Sequence, residues 1–132
     1  MPLNATRHIS LAIQRSPRDV YAFASNPENL PLWAAGVSES IAIIDGVWTT
    51  QSPMGAVTIE FTPQNDFGIL DHYVTLPTGE TFANPLRVIA NGEGSEVIFT
   101  LFRLPDVDDT AFEADAAAIA TDLAALKAHF AE

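Results

Sequence analysis

Residues 109–131 read DTAFEADAAAIATDLAALKAHFA, and within them Phe112, Ala116, Ile119, Leu123, Leu126 and Phe130 recur at steps of four, three, four, three and four. That spacing lines one face of an α-helix with apolar side chains. A helix of about 22 residues is about 33 Å long, whereas strands of about eight residues reach about 26 Å. Such a rod is long enough to lie across the inner face of a whole sheet, covering the apolar surface of both. Asp106, Asp108, Asp109, Glu113 and Asp115 gather at its start, where acids complement the positive end of the helix dipole. Their spacing is too loose for a calcium loop, which also requires a Gly turn.

The residues upstream supply the sheet. Ile9, Leu11 and Ile13 alternate with polar neighbours between Arg7 and Arg15, and a period of two marks a half-buried strand. Ser16-Pro17-Arg18-Asp19 then combines an N-cap, a Pro at the first helical position and an acid in the first turn. Val20, Phe23 and Ala24 continue it at helical spacing. Asn26-Pro27-Glu28-Asn29 repeats the start signal, and the second short helix is expected to end near Gly36, limited by Pro31.

From Ser38 onward the pattern becomes strands and turns. Asp45-Gly46 sits between Ile41–Ile44 and Val47–Thr50 as a two-residue hairpin. Val57, Ile59 and Phe61 alternate with Thr58, Glu60 and Thr62. After Asn65-Asp66-Phe67-Gly68, one face carries Leu70, His72, Val74 and Leu76. Pro77-Thr78-Gly79 turns the chain into Phe82, Asn84, Leu86 and Val88, and Asn91-Gly92-Glu93-Gly94 turns it again into Val97, Phe99 and Leu101. The expected architecture is a single α+β domain over residues 1–132. A curved antiparallel sheet of seven strands wraps around the long C-terminal helix, with two short helices after the first strand.

This order resembles the START/SRPBCC superfamily, the helix-grip group that includes birch-pollen-allergen-like proteins, lipid-transfer START domains and polyketide cyclases. The resemblance covers essentially the whole chain. It is sharpest in SPRDVYAFASNPENLPLW, Ser16 to Trp33, which is similar to the opening helix pair of that group. Phe67-Gly68-Ile69-Leu70-Asp71-His72 is similar to a strand opening of its small bacterial members. The resemblance implies a hydrophobic cavity between sheet and terminal helix, used for lipids, polyketides, hormones or other apolar molecules.

Composition narrows the function classes. Hydrophobic residues make up 48% of the chain and charged residues 17%, an ordinary globular balance. Seventeen acids against six bases give a formal charge of −11, which repels nucleic acid and anionic lipid surfaces. Without cysteine there is no disulfide, thiolate metal site or cysteine nucleophile. No apolar run approaches the roughly 18 residues of a membrane span, and the first residues lack the apolar core of a signal peptide. A cytoplasmic location is expected.

Register places the candidate site. The Pro77-Thr78-Gly79 turn sets Leu76 opposite Glu80, hence His72 opposite Asn84, both pointing inward among Leu70, Val74, Phe82 and Leu86. Imidazole donates or accepts near neutral pH, so His72 is the candidate to orient a carbonyl or move a proton; the alternative is a core histidine satisfied by Asn84. Trp33 and Trp48 are large rings with one donor each, suited to a pocket wall or to packing of the short helices. By the resemblance, Trp33 lies where the cavity opens. Arg103 shares the inward parity of Val97, Phe99 and Leu101; it forks onto an anionic ligand group there, or snorkels past the rim to water. With Phe99, Phe112 and Ile119 these residues complete the expected lining, unless the terminal helix fills the space with its own side chains. Tyr73 and Glu60 face the opposite way, and Arg87 is expected to pair with Glu96.

His8, His72 and His129 have no zinc-site spacing, no Gly-rich loop leads from a strand into a helix, and no Ser sits in a nucleophile elbow. Neither metal nor cofactor is expected. The leading expectation is a binder of a small apolar molecule. The alternatives are a cyclase- or dehydratase-like enzyme using His72 and Arg103, and an interaction module or homodimer using the outward Ile89, Ile98, Phe102 and Leu104.

Overall fold

The computed structural model describes residues 3–35, 40–53 and 55–131. Strand β1 spans Thr6–Ile13, and Ser16 caps the helix that follows, α1 (Pro17–Ala24), by accepting the Asp19 N–H at 3.2 Å. Asn26 caps a single 3₁₀ turn, Pro27–Asn29, which runs directly into α2 (Leu30–Trp33). Thus α2 ends at Trp33, while Gly36 and Ser38, the expected boundary positions, lie outside the described residues.

The strands then follow as β2 (Ala42–Ile44), β3 (Val47–Ser52), β4 (Gly55–Phe61), β5 (His72–Thr75), β6 (Thr81–Asn84), β7 (Leu86–Asn91) and β8 (Gly94–Phe102). Asp45 and Gly46 both have positive φ, 53° and 79°, as the mirror-image turn between twisted strands requires. In the next hairpin the Leu76 N–H donates to the Glu80 carbonyl at 2.9 Å, so His72 pairs with Asn84 as the turn arithmetic requires.

Eight strands form two antiparallel sheets, ordered β1-β8-β7 and β2-β3-β4-β5-β6, where one seven-stranded sheet was expected. The difference lies at Pro85. Alternation from Phe82 to Val88 continues through this residue, but proline has no N–H for the ladder, so the run divides into β6 and β7. Residues 68–71 stitch the sheets along this seam. Leu70 N–H donates to Leu86 O, Val88 N–H to Gly68 O, and Leu86 N–H to the Asp71 carboxylate, each at 2.9 Å. Gly68 has φ of +71°, and a Cβ there would stand 2.1 Å from Val88 O; only glycine lets the loop approach β7 this closely.

Helix α3 spans Asp109–His129, and Asp108 caps it by accepting the Ala111 N–H. Its stripe buries Phe112, Ala116, Leu123 and Leu126, with Ile119 half-buried. Its principal neighbours are β1, β8 and α2. The helix thus covers the three-stranded sheet, where Val97, Leu86 and Val88 are buried against the α1 and α3 side chains of one core cluster. Fully burying a side chain such as Leu123 or Leu126 contributes roughly 1.5–3 kcal/mol. None of the described helices is long and apolar enough to cross a membrane.

Candidate functional site

The inner face of the five-stranded sheet is a grid set by strand pairing. One cross-strand row runs Ile43, Trp48, Ile59, Val74 and Phe82; a parallel row runs Phe61, His72 and Asn84. Ile59 and Val57 are buried, but Trp48, Phe61, His72, Val74, Phe82 and Asn84 are only half-buried. On the reverse face Glu60, Tyr73 and Ala83 are exposed, as alternation expects. The contrast with the three-stranded sheet follows from where α3 sits.

His72 is the chemical centre of this face. Its Nδ1 lies 3.1 Å from Leu70 O, and its ring stacks on Phe61 with centroids 4.8 Å apart. Burial pushes its pKa below the ordinary imidazole value, against smaller opposing effects from the Leu70 carbonyl and the Asp71 charge. The ring is therefore neutral at pH 7. Asn84 stands across the ladder, yet no hydrogen bond joins it to His72; the imidazole turns to Leu70 O instead.

Among the described residues, Trp33 Nε1 is the single buried side-chain nitrogen or oxygen without a partner. Trp33 itself is 6% exposed and belongs to the same core cluster as Ile59 and Leu70. Buried donors are normally paired, so this indole is an unmet demand for an acceptor. His72 Nε2 and the Asn84 amide also have no protein partner among the described residues, and both residues are half-buried.

The remaining expected lining divides. Leu70 and Leu86 are each 1% exposed and belong to the seam and core, as does Phe99. Trp48 lies at one end of the long row, in a cleft of about 520 Å³ shared with Glu28, Pro31, Ser40, Ile41, Ala42 and Ile43. Arg103 and Phe112 lie instead at the start of α3. Arg103 Nε donates to Val107 O at 2.8 Å, its Nη1 to Asp109 at 2.6 Å, and its guanidinium is 5.8 Å from the Phe112 ring centroid. Arg7 stands over the same ring at 4.9 Å and forks onto Glu113. These commitments tie Arg103 to the helix terminus. Ile119 stays with the α3 stripe.

Arg87 pairs with Asp71 at 3.8 Å and not with Glu96, which accepts from Asn91 Nδ2; Asp71 reaches Arg87 through the seam, a contact invisible from strand parity. On the outer face Ile89 and Phe102 are exposed, whereas Ile98 and Leu104 are half-buried. A second cleft, about 610 Å³, lies between α1 and β7 and is lined in part by Arg18, Tyr21, Phe67 and Ile89. Phe61 was not singled out from sequence as a site residue, and Trp33 was, though not for a buried indole N–H without a partner. The alternation of Val57, Ile59 and Phe61 was the signal for Phe61; nothing in the sequence marks the indole.

No family model matches this chain, and no curated protein matches it. Solved structures do. The protein XoxI from Bacillus cereus is similar at 20% identity and a TM-score of 0.73, over 96% of this chain and 95% of that one. Ara h 8.0201 is similar at 14% identity and a TM-score of 0.73, over 96% and 97% of the two chains. The Aha1 dimer from Colwellia psychrerythraea is similar at 13% identity and a TM-score of 0.73, over 96% of each. With β1, two short helices, an antiparallel meander and one long terminal helix in this order, the chain shares the helix-grip fold of these structures.

Proposed function

We propose that this protein binds a small, largely apolar molecule against the inner face of β4, β5 and β6, admitted past the Trp48 cleft. One observation supports the reading: the inward-facing side chains of β4, β5 and β6 around His72 are only half-buried, while α3 packs chiefly on β1, β8 and α2. That surface offers Phe61, Val74 and Phe82 around two polar groups with no protein partner, Nε2 of His72 and the Asn84 amide. Mostly apolar walls with a few convergent polar groups are the usual composition of a small-molecule site.

Binding is favoured over catalysis because Arg103, the partner a cyclase-like mechanism would need, is held by Val107 and Asp109. His72 alone is a weak constellation. The test is native mass spectrometry of freshly purified protein, together with saturable quenching of Trp48 fluorescence by naphthalene. A Val74→Trp variant, which fills the face, is expected to abolish the quenching while keeping the melting transition. Absence of both a copurified apolar molecule and saturable naphthalene binding would overturn the proposal.

A further inference from the structure

We infer that the molecule held at this face is an uncharged alcohol or phenol whose O–H donates to Nε2 of His72. The inference rests on the binding reading above and adds the polarity of the ligand to it.

The direction of the hydrogen bond follows from Leu70. A carbonyl oxygen only accepts, so the contact at 3.1 Å requires the hydrogen of His72 to sit on Nδ1. A neutral imidazole carries one N–H, which leaves Nε2 with a lone pair and no hydrogen. A second proton is disfavoured by the burial of the ring. The adjoining acid does not reverse this: Asp71 directs its carboxylate to Leu86 N–H and Arg87. The site thus presents an acceptor at Nε2 and, on the residue paired with it across the ladder, the Asn84 amide, which can donate. A hydroxyl satisfies both, donating to one and accepting from the other. A carboxylate has no hydrogen for Nε2 and would bring its own charge to an apolar surface. A hydrocarbon covers Nε2 and leaves it unpaired.

The experiment compares four probes of one shape, 2-naphthol, 2-methoxynaphthalene, naphthalene and 2-naphthoate, by calorimetric titration at pH 7.5. The expected order places 2-naphthol about tenfold tighter than each of the others, the scale of one retained hydrogen bond. His72→Phe is expected to bring 2-naphthol and 2-methoxynaphthalene to equal affinity; His72→Gln, which keeps an acceptor, serves if the Phe variant does not fold and is expected to retain part of the preference. Equal affinity for 2-naphthol and 2-methoxynaphthalene overturns the inference and leaves the binding reading standing. Failure of every probe to bind overturns both.

Discussion

The Asp71 carboxylate accepts the backbone N–H of Leu86 at 2.9 Å, across the line where one sheet gives way to the other. Leu86 is 1% exposed, so its amide has little access to water if the carboxylate is lost. Asp71→Ala is expected to cost about 1–3 kcal/mol, read as a lower urea midpoint with unchanged slope. Asp71→Asn keeps an acceptor and is expected to cost less than half as much.

His72 makes stability depend on pH. Its folded pKa lies below the unfolded value of 6.5, so the unfolded chain takes up the proton first. The contribution is present in full above pH 6.5 and is lost as pH falls toward the folded value. Its slope stays below about 1.4 kcal/mol per pH unit, the limit for a single proton. Urea unfolding of wild type and His72→Phe between pH 5 and 8 is expected to show the decline below pH 6.5 reduced in the variant.

Asp122 behaves in the opposite sense. Burial raises its pKa, partly offset by the Ala35 N–H that it accepts at 3.1 Å. Its charge therefore works against the fold at neutral pH, and that cost fades as the carboxyl protonates in acid. Asp122→Asn keeps the acceptor without the charge. Its melting temperature is expected to rise by about 1–3 °C at pH 7, with the gain vanishing below pH 4.

Gly68→Ala is expected to be among the most damaging single changes in the chain. The new methyl carbon would stand 2.1 Å from Val88 O at a φ of +71°, and both backbone and loop must shift. A loss of about 2–4 kcal/mol is expected. Thermal melting checks it, and a loss under about 1 kcal/mol would show that the seam yields easily.

Legibility in the sequence followed the locality of each interaction. The Phe112-to-Phe130 stripe, the Asp45-Gly46 turn and the pairing of His72 with Asn84 rest on period or turn length, and each reads directly from neighbouring residues. The division at Pro85 was concealed because alternation carries on through the proline, although the missing N–H was in plain sight. Arg87 finds Asp71, and His72 finds Phe61, through the loop of residues 62–71, whose length sets no register. The coverage of the sheet by α3 was equally hidden. Helix length says how far a rod can reach, and only packing against β1 and α2 says where it lies.

The seam divides the strands into a set beneath the terminal helix and a set beyond it. Amide deuteration should be slowest at Val97 and Phe99, in the core beneath the helix, and faster in β2, whose three residues are all exposed. A guest seated on the five-stranded sheet would slow exchange there, so the set that takes up deuterium sooner is also the one whose protection would register arrival.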